Sequence, residues 1–273
     1  MSYATVNGLR CYYELLGSEH EGAETVLLLS GLGNDSQCWP GVVEALAERF
    51  RVLVMDNRGA GRTDAPRPPY SVMQMAGDAA GLLDALDVAR AHVVGHSLGG
   101  FMALELALSH PERVGRLVLA STAARASARN RQLFANWVAA LRGGMDVTCL
   151  TREVFLWMYP PACFEEEGFL ERVTRETVAY PYLQPFNGLL GQVAALDGFD
   201  VRERLGRVRA ETLVVYGGKD MLIPAEESLE LAAGIPGAVT ACLEGAGHLA
   251  QREAPEVFAK VVGTFLAGGS TRV

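Results

Sequence analysis

Lysine is scarce in this 273-residue chain: of its 24 basic residues, only Lys219 and Lys260 are lysines and the rest are arginines. We read this as compositional bias from a GC-rich genome. Asp and Glu number 32, so the net charge is -8. A mildly acidic chain without a basic stripe is a poor ligand for nucleic acid or anionic lipid. Cysteine is sparse too. Cys11, Cys38, Cys149, Cys163 and Cys242 are odd in number, with no C-x-x-C among them. That spacing argues against a disulfide framework or a zinc knuckle and favours a reducing compartment. No apolar run approaches the 18 or so residues of a membrane span. Met1 to Leu16 lacks the basic start and apolar stretch of a signal peptide. A cytoplasmic address is expected. Hydrophobic residues make up 49% and charged residues 21%, a globular composition. The length fits one large domain, or one domain carrying an insertion.

Short apolar runs alternate with amphipathic stretches. Asn7-Gly8 between Tyr3–Val6 and Leu9–Leu16 signals a hairpin. Thr25–Ser30, Arg51–Met55, His92–Gly95, Arg116–Ala120, Thr212–Tyr216 and Val239–Leu243 read as strands, most of them buried on both faces. Helices are predicted at Pro40–Arg49, from Ser71 to about Leu86, and at Leu98–His110, Pro224–Ala233 and Pro255–Ala267, with Gly268–Val273 a polar tail. This order implies an α/β fold with a mostly parallel twisted sheet flanked by helices. Between about 123 and 202 the β-branched runs stop. Helical periods carry Phe134, Trp137, Leu141, Phe155 and Trp157, with prolines at 160, 161, 181 and 185. That segment reads as a helical insertion between 1–122 and 203–273.

Gly95-His-Ser97-Leu-Gly99 matches G-x-S-x-G, and its context makes the match specific: a strand precedes it and a long helix follows. A turn this tight needs small residues two before and two after the serine. It presents Ser97 at the C-terminal edge of the sheet, beside a helix N-terminus. A serine hydroxyl needs a base. Of the five histidines, His20 falls in a polar loop, His92 at a strand start, and His110 at a helix end. His96 lies inside the elbow and is expected to point away from Ser97. His248, in the glycine-rich loop Gly245-Ala-Gly-His248 after the last strand, is the expected base. Asp220 follows the strand ending at Tyr216 and is the expected carboxylate partner of His248. The residues after Ala120, Ser121-Thr122, offer no carboxylate in its place. The oxyanion of an acyl-transfer reaction would be held by the N–H groups of Leu98, just after the serine, and Leu32, in the glycine-rich loop after the first buried strand. Asp56-Asn-Arg-Gly59-Ala-Gly61 lacks the Lys-Ser/Thr of a phosphate-binding loop and reads as a structural turn, with Arg58 bonding nearby carbonyls. No metal-ligand spacing occurs, so no metal is expected.

Taken together, Ser30-Gly-Leu-Gly33, Asp56-Asn-Arg-Gly-Ala-Gly61, Gly95-His-Ser-Leu-Gly-Gly100, His110-Pro-Glu-Arg113, Gly217-Gly-Lys-Asp220 and Gly245-Ala-Gly-His248 resemble the α/β-hydrolase superfamily over nearly the whole chain. The chain order Ser97, Asp220, His248 is the order of that superfamily. The resemblance implies a Ser-His-Asp triad, no cofactor, and a helical cap formed by 123–202. The branch it is most similar to contains 3-oxoadipate enol-lactonases and related bacterial esterases; Ser30-Gly31 stands where many superfamily members have His-Gly. Serine at 97 excludes the aspartate-nucleophile dehalogenases and epoxide hydrolases. Phe134, Trp137, Phe155 and Trp157 are candidates to line an apolar pocket, though helix faces packed on the core need the same residues; Arg125, Arg129, Arg152 and Arg175 could hold a substrate carboxylate, with solvated helix faces the favoured reading for each. The expectation is a cofactor-free serine hydrolase of small to medium esters or lactones. Its partner is a small-molecule substrate, with neither nucleic acid nor membrane, and a homodimer is left open. Two rivals stand beside it: a C–C bond hydrolase or non-hydrolytic tailoring enzyme on the same triad, and a ligand receptor on a hydrolase fold.

Overall fold

The computed structural model describes residues 2–17 and 22–269. His20 and the end of the tail lie outside the described residues. The chain opens with β1 (Ser2–Val6) and β2 (Leu9–Leu16), joined through Asn7 and Gly8. Both turn residues have positive φ, at 52° and 77°, as the two-residue hairpin requires. Six more strands follow: β3 (Thr25–Leu29), β4 (Arg51–Met55), β5 (Ala91–His96), β6 (Val114–Ala120), β7 (Thr212–Gly217) and β8 (Val239–Leu243). They form one sheet in the order β1-β2-β4-β3-β5-β6-β7-β8. β2 runs antiparallel to both β1 and β4, and every pairing from β4 to β8 is parallel.

The central strands are apolar throughout because both faces are covered. Successive residues feed opposite cores, as a period of two demands. Leu27, Leu29, Leu53, Met55, Val93, Leu117 and Leu119 face one side. That side is closed by α2 (Val72–Ala85), α3 (Leu98–Ser109) and α8 (Ala225–Gly234). Val26, Leu28, Val52, Val54, Val94 and Val118 face the other side, under α1 (Val42–Ala47) and α10 (Pro255–Leu266). Ser71 caps α2 by accepting the Gln74 N–H, as its spacing implies.

Between β6 and β7 lie four helices, α4 (Ala128–Arg142), α5 (Val147–Met158), α6 (Phe169–Val178) and α7 (Phe186–Leu196). Gly143-Gly144 and the prolines separate them. The ends of this excursion meet: Arg125 and Asp200 form an isolated bridge, Val201 N–H bonds Ala124 O, and Ala126 N–H bonds Phe199 O. A short α9 (Ala250–Glu253), which the sequence pattern did not signal, follows β8. Parallel strands bring the loops after β3, β4, β5, β6, β7 and β8 to one edge, where the sequence candidates gather.

Candidate active site

Ser97 sits between β5 and α3 with φ 54° and ψ -117°, a strained conformation for a residue with a side chain. The glycines around it make this turn buildable. A Cβ on Gly95 would lie 2.2 Å from the carbonyl oxygen of Gly99, and one on Gly99 would lie 2.0 Å from that of Leu29. Ser97 N–H is fixed by Ala120 O at 2.9 Å, and the Thr122 hydroxyl donates to Ser97 O. Ser97 is half-buried, while its neighbours in the elbow are buried.

His248 is fully enclosed, and its Nδ1 bonds Asp220 Oδ2 at 2.8 Å. The other oxygen of Asp220 accepts the N–H groups of Leu222 (2.9 Å) and Ile223 (2.8 Å), so the carboxylate is held from two sides. A proton on Nδ1 leaves Nε2 as an acceptor, and Nε2 has no hydrogen-bond partner. The backbone around His248 is tied down. Its N–H bonds Met158 O at 2.9 Å, and both flanking N–H groups, of Gly247 (2.8 Å) and Leu249 (3.1 Å), donate to the Glu253 carboxylate. Burial raises the Glu253 pKa, and the two donated bonds oppose that rise.

His96 does not point out of this region. Its Nε2 bonds His248 O at 2.8 Å, and the two rings stand 4.9 Å apart. Burial, with the neighbouring His248 adding to it, pushes its pKa down to about 3. It is therefore a neutral donor holding the His248 carbonyl. A small internal cavity is lined by Gly31, Leu32, Asn34, His96, Ser97, Phe134, Met158, Leu222 and His248. Serine, histidine and the glycine loop thus share one space. Among the described residues, the N–H groups of Leu32 and Leu98 make no hydrogen bond, while Gly33 N–H and Asn34 N–H are taken. Gly31 lets this loop come close: a Cβ there would lie 3.2 Å from Ser97 Cβ.

Beside it opens a cavity of about 440 Å³. It shares Leu32, Asn34 and Met158 with the small one, and its walls are mostly apolar, with Leu141, Leu150, Phe155, Phe186 and Leu189 among them. Phe134 lines the small cavity and Phe155 the large one. Trp137 is buried against Phe134, with ring centroids 5.3 Å apart. Trp157 lies half-buried near Arg129 and Glu153. Of the arginines in this segment, Arg152 pairs with Glu171, and Arg129 donates to the carbonyls of Met221 and Leu222. Arg58 differs from expectation: its guanidinium makes a buried two-point bond to Asp78 of α2, at 2.7 and 2.8 Å, in place of bonds to carbonyls. A planar guanidinium matches a carboxylate better than scattered carbonyls, and a buried charge needs a counter-charge. No cluster of three or more metal-binding side chains occurs among the described residues.

Neither Glu253 nor Gln192, which bonds Gly33, stood out in the sequence. Glu253 follows His248 by five residues and reads there as surface charge.

The sheet order, the elbow and the gathered loops define a hydrolase architecture. The chain matches the family model of the alpha/beta hydrolase fold over residues 24–255 and belongs to that family. It is 34% identical over 270 residues to a Caulobacter vibrioides protein named "Putative carbamate hydrolase RutD", covering 98% of each chain. The enol-lactonase of Burkholderia xenovorans LB400 superposes with a TM-score of 0.89 at 31% identity, covering 97% of this chain and 100% of that one. The meta-cleavage product hydrolase CumD of Pseudomonas fluorescens IP01 superposes at 0.83 with 25% identity, covering 98% of each. The chain is a hydrolase with enol-lactonase-like relatives, and no described helix is long and apolar enough to cross a membrane.

Proposed function

We propose that this chain is a serine hydrolase that cleaves a small to medium carboxylic ester or lactone through an acyl-enzyme, without a cofactor. The observation that carries the reading is the fully buried His248–Asp220 bond of 2.8 Å, which leaves Nε2 of His248 unpartnered while His248 and Ser97 line the same small cavity. Asp220 fixes the tautomer and stabilises the imidazolium that forms. His248 Nε2 takes the Ser97 proton as Oγ attacks the carbonyl. The N–H groups of Leu32 and Leu98 receive the oxyanion. His248 then protonates the leaving oxygen, and water, deprotonated by the same imidazole, releases the acid.

Residues 123–202 act as a cap over the core formed by 1–122 and 203–273. The bridge between Arg125 and Asp200, which pinches the ends of the segment together, supports this division. The apolar walls of the 440 Å³ cavity favour a substrate with an apolar acyl or alcohol group over a bare carbamate, since small polar molecules gain little from such a lining. The relatives are named as a putative carbamate hydrolase, an enol-lactonase and a meta-cleavage product hydrolase, so the test must separate these substrates. Purified enzyme is assayed against esters and lactones of graded acyl length, matched carbamates and a meta-cleavage product. The expected result is kcat/KM that climbs by up to about fourfold per methylene until the cavity is full and then falls. Turnover of carbamates alone, or of the C–C substrate alone, would overturn the ester reading.

A further inference from the structure

We propose that Gln192 is a positioning residue for the oxyanion site: from the insertion helix α7 it clamps the loop that presents Leu32 N–H. This rests on the reading of Leu32 as an oxyanion donor.

Gln192 is completely buried. A buried primary amide is costly unless both its ends are bonded. Here both are. Oε1 accepts the N–H of Gly33 at 3.2 Å, and Nε2 donates to Arg58 O at 2.9 Å. Each partner offers only one kind of group, a donor on one side and an acceptor on the other, so the amide has one orientation. Gly33 is the residue after Leu32, has φ +76°, and belongs to the loop that closes on Ser97. Its N–H is therefore engaged by a residue 159 positions away, while the N–H of Leu32 stays uncommitted.

The anchor on the far side is rigid. Arg58 is held by its buried pairing with Asp78. Helix α7 meets this loop backbone to backbone. A Cβ on Gly188 would fall 1.9 Å from Gly59 O, and one on Gly191 would fall 2.2 Å from the Tyr70 ring. Gln184, just before α7, also donates to Gly59 O at 3.0 Å. The depth of α7 is thus fixed, and with it the reach of the Gln192 amide. The Asp56–Gly61 turn serves as the seat for the helix that steadies the oxyanion loop. Seating of α7 and completion of the oxyanion site become one event.

The test uses the full chain and an ester that the wild type turns over. Gln192→Leu keeps the volume and removes both bonds; Gln192→Glu keeps the shape and is a donor–acceptor pair only when protonated. For Gln192→Leu the expected result is a kcat about ten- to a hundredfold below wild type with KM within about threefold. Affinity for a trifluoromethyl ketone, whose adduct carries the oxyanion, should fall by a similar factor. For Gln192→Glu the activity relative to wild type should rise as pH falls, because the protonated carboxyl restores a donor to Arg58 O and an acceptor for Gly33 N–H. A Gln192→Leu enzyme with kcat and ketone affinity within twofold of wild type would overturn the proposal. So would a Gln192→Glu ratio that is flat with pH, and this arm stands if the leucine variant fails to fold. Ser97→Ala, run alongside, keeps the two readings apart: retained turnover there defeats the serine mechanism, whereas an inactive Ser97→Ala beside an unimpaired Gln192→Leu defeats only the role of Gln192.

Discussion

At the residue scale, the enclosed His96 couples stability to pH. Burial lowers its pKa to about 3 in the folded chain, while the unfolded chain has the ordinary imidazole value near 6.5. Below about pH 6.5 the unfolded state takes up a proton that the folded state refuses. The stabilisation is therefore complete above that pH and is lost as pH falls toward 3, at up to about 1.4 kcal/mol per unit. His92, whose pKa is lowered chiefly by burial, acts in the same direction. Urea unfolding at pH 7.5 and 5.5 should show a loss for wild type that shrinks in His96→Gln, which keeps a side-chain donor and does not titrate. An unchanged pH dependence in that variant would assign the effect elsewhere. The same residue marks a boundary of what the sequence reveals. Its place in the elbow was legible, but its contact with the carbonyl of His248, 152 residues away, was not. Arg58 is a parallel case, since its partner Asp78 is one of many helix carboxylates in the sequence.

At the element scale, the strand–turn–helix elbow is the feature most fully written in the sequence. Buried apolar strands, two glycines flanking Ser97 and a helix starting at Leu98 are local signals, and local signals survive without knowledge of the fold. The edge positions of Ser97, Asp220 and His248 follow from them, because parallel strands end on one side. The insertion was legible as helices through its periodicity and prolines, but not in which aromatic ring faces which cavity. Phe155 and Trp157 are two residues apart on one helix and lie in different surroundings. The elbow also sets a prediction. A Cβ at Gly95 would overlap the Gly99 carbonyl, so Gly95→Ala must push β5 and α3 apart. Thermal unfolding should drop by roughly 10 °C or more, in line with a cost of a few kcal/mol, and turnover should fall with it. A thermal midpoint unchanged by the substitution would contradict the close approach.

At the scale of the whole molecule, four chain segments far apart in sequence meet at the proposed reaction centre, and a fifth holds its loops. The sheet edge supplies Ser97, Asp220 and His248, the β3 loop supplies Leu32, and the helices between β6 and β7 supply walls through Phe134 and Phe155 together with the Gln192 contact. The central claim is that covalent chemistry occurs at Ser97 alone, driven by His248 and Asp220. Mass spectrometry of the protein after brief exposure to a fluorophosphonate tests it most directly, with wild type, Ser97→Ala and Asp220→Asn compared. One adduct is expected on the wild type, mapped to the peptide holding Ser97, and none on Ser97→Ala. Labelling of Asp220→Asn should be slowed by up to about 10⁴-fold, with its fold intact. An adduct on another serine, or Ser97→Ala labelled and turning over ester at the wild-type rate, would contradict it.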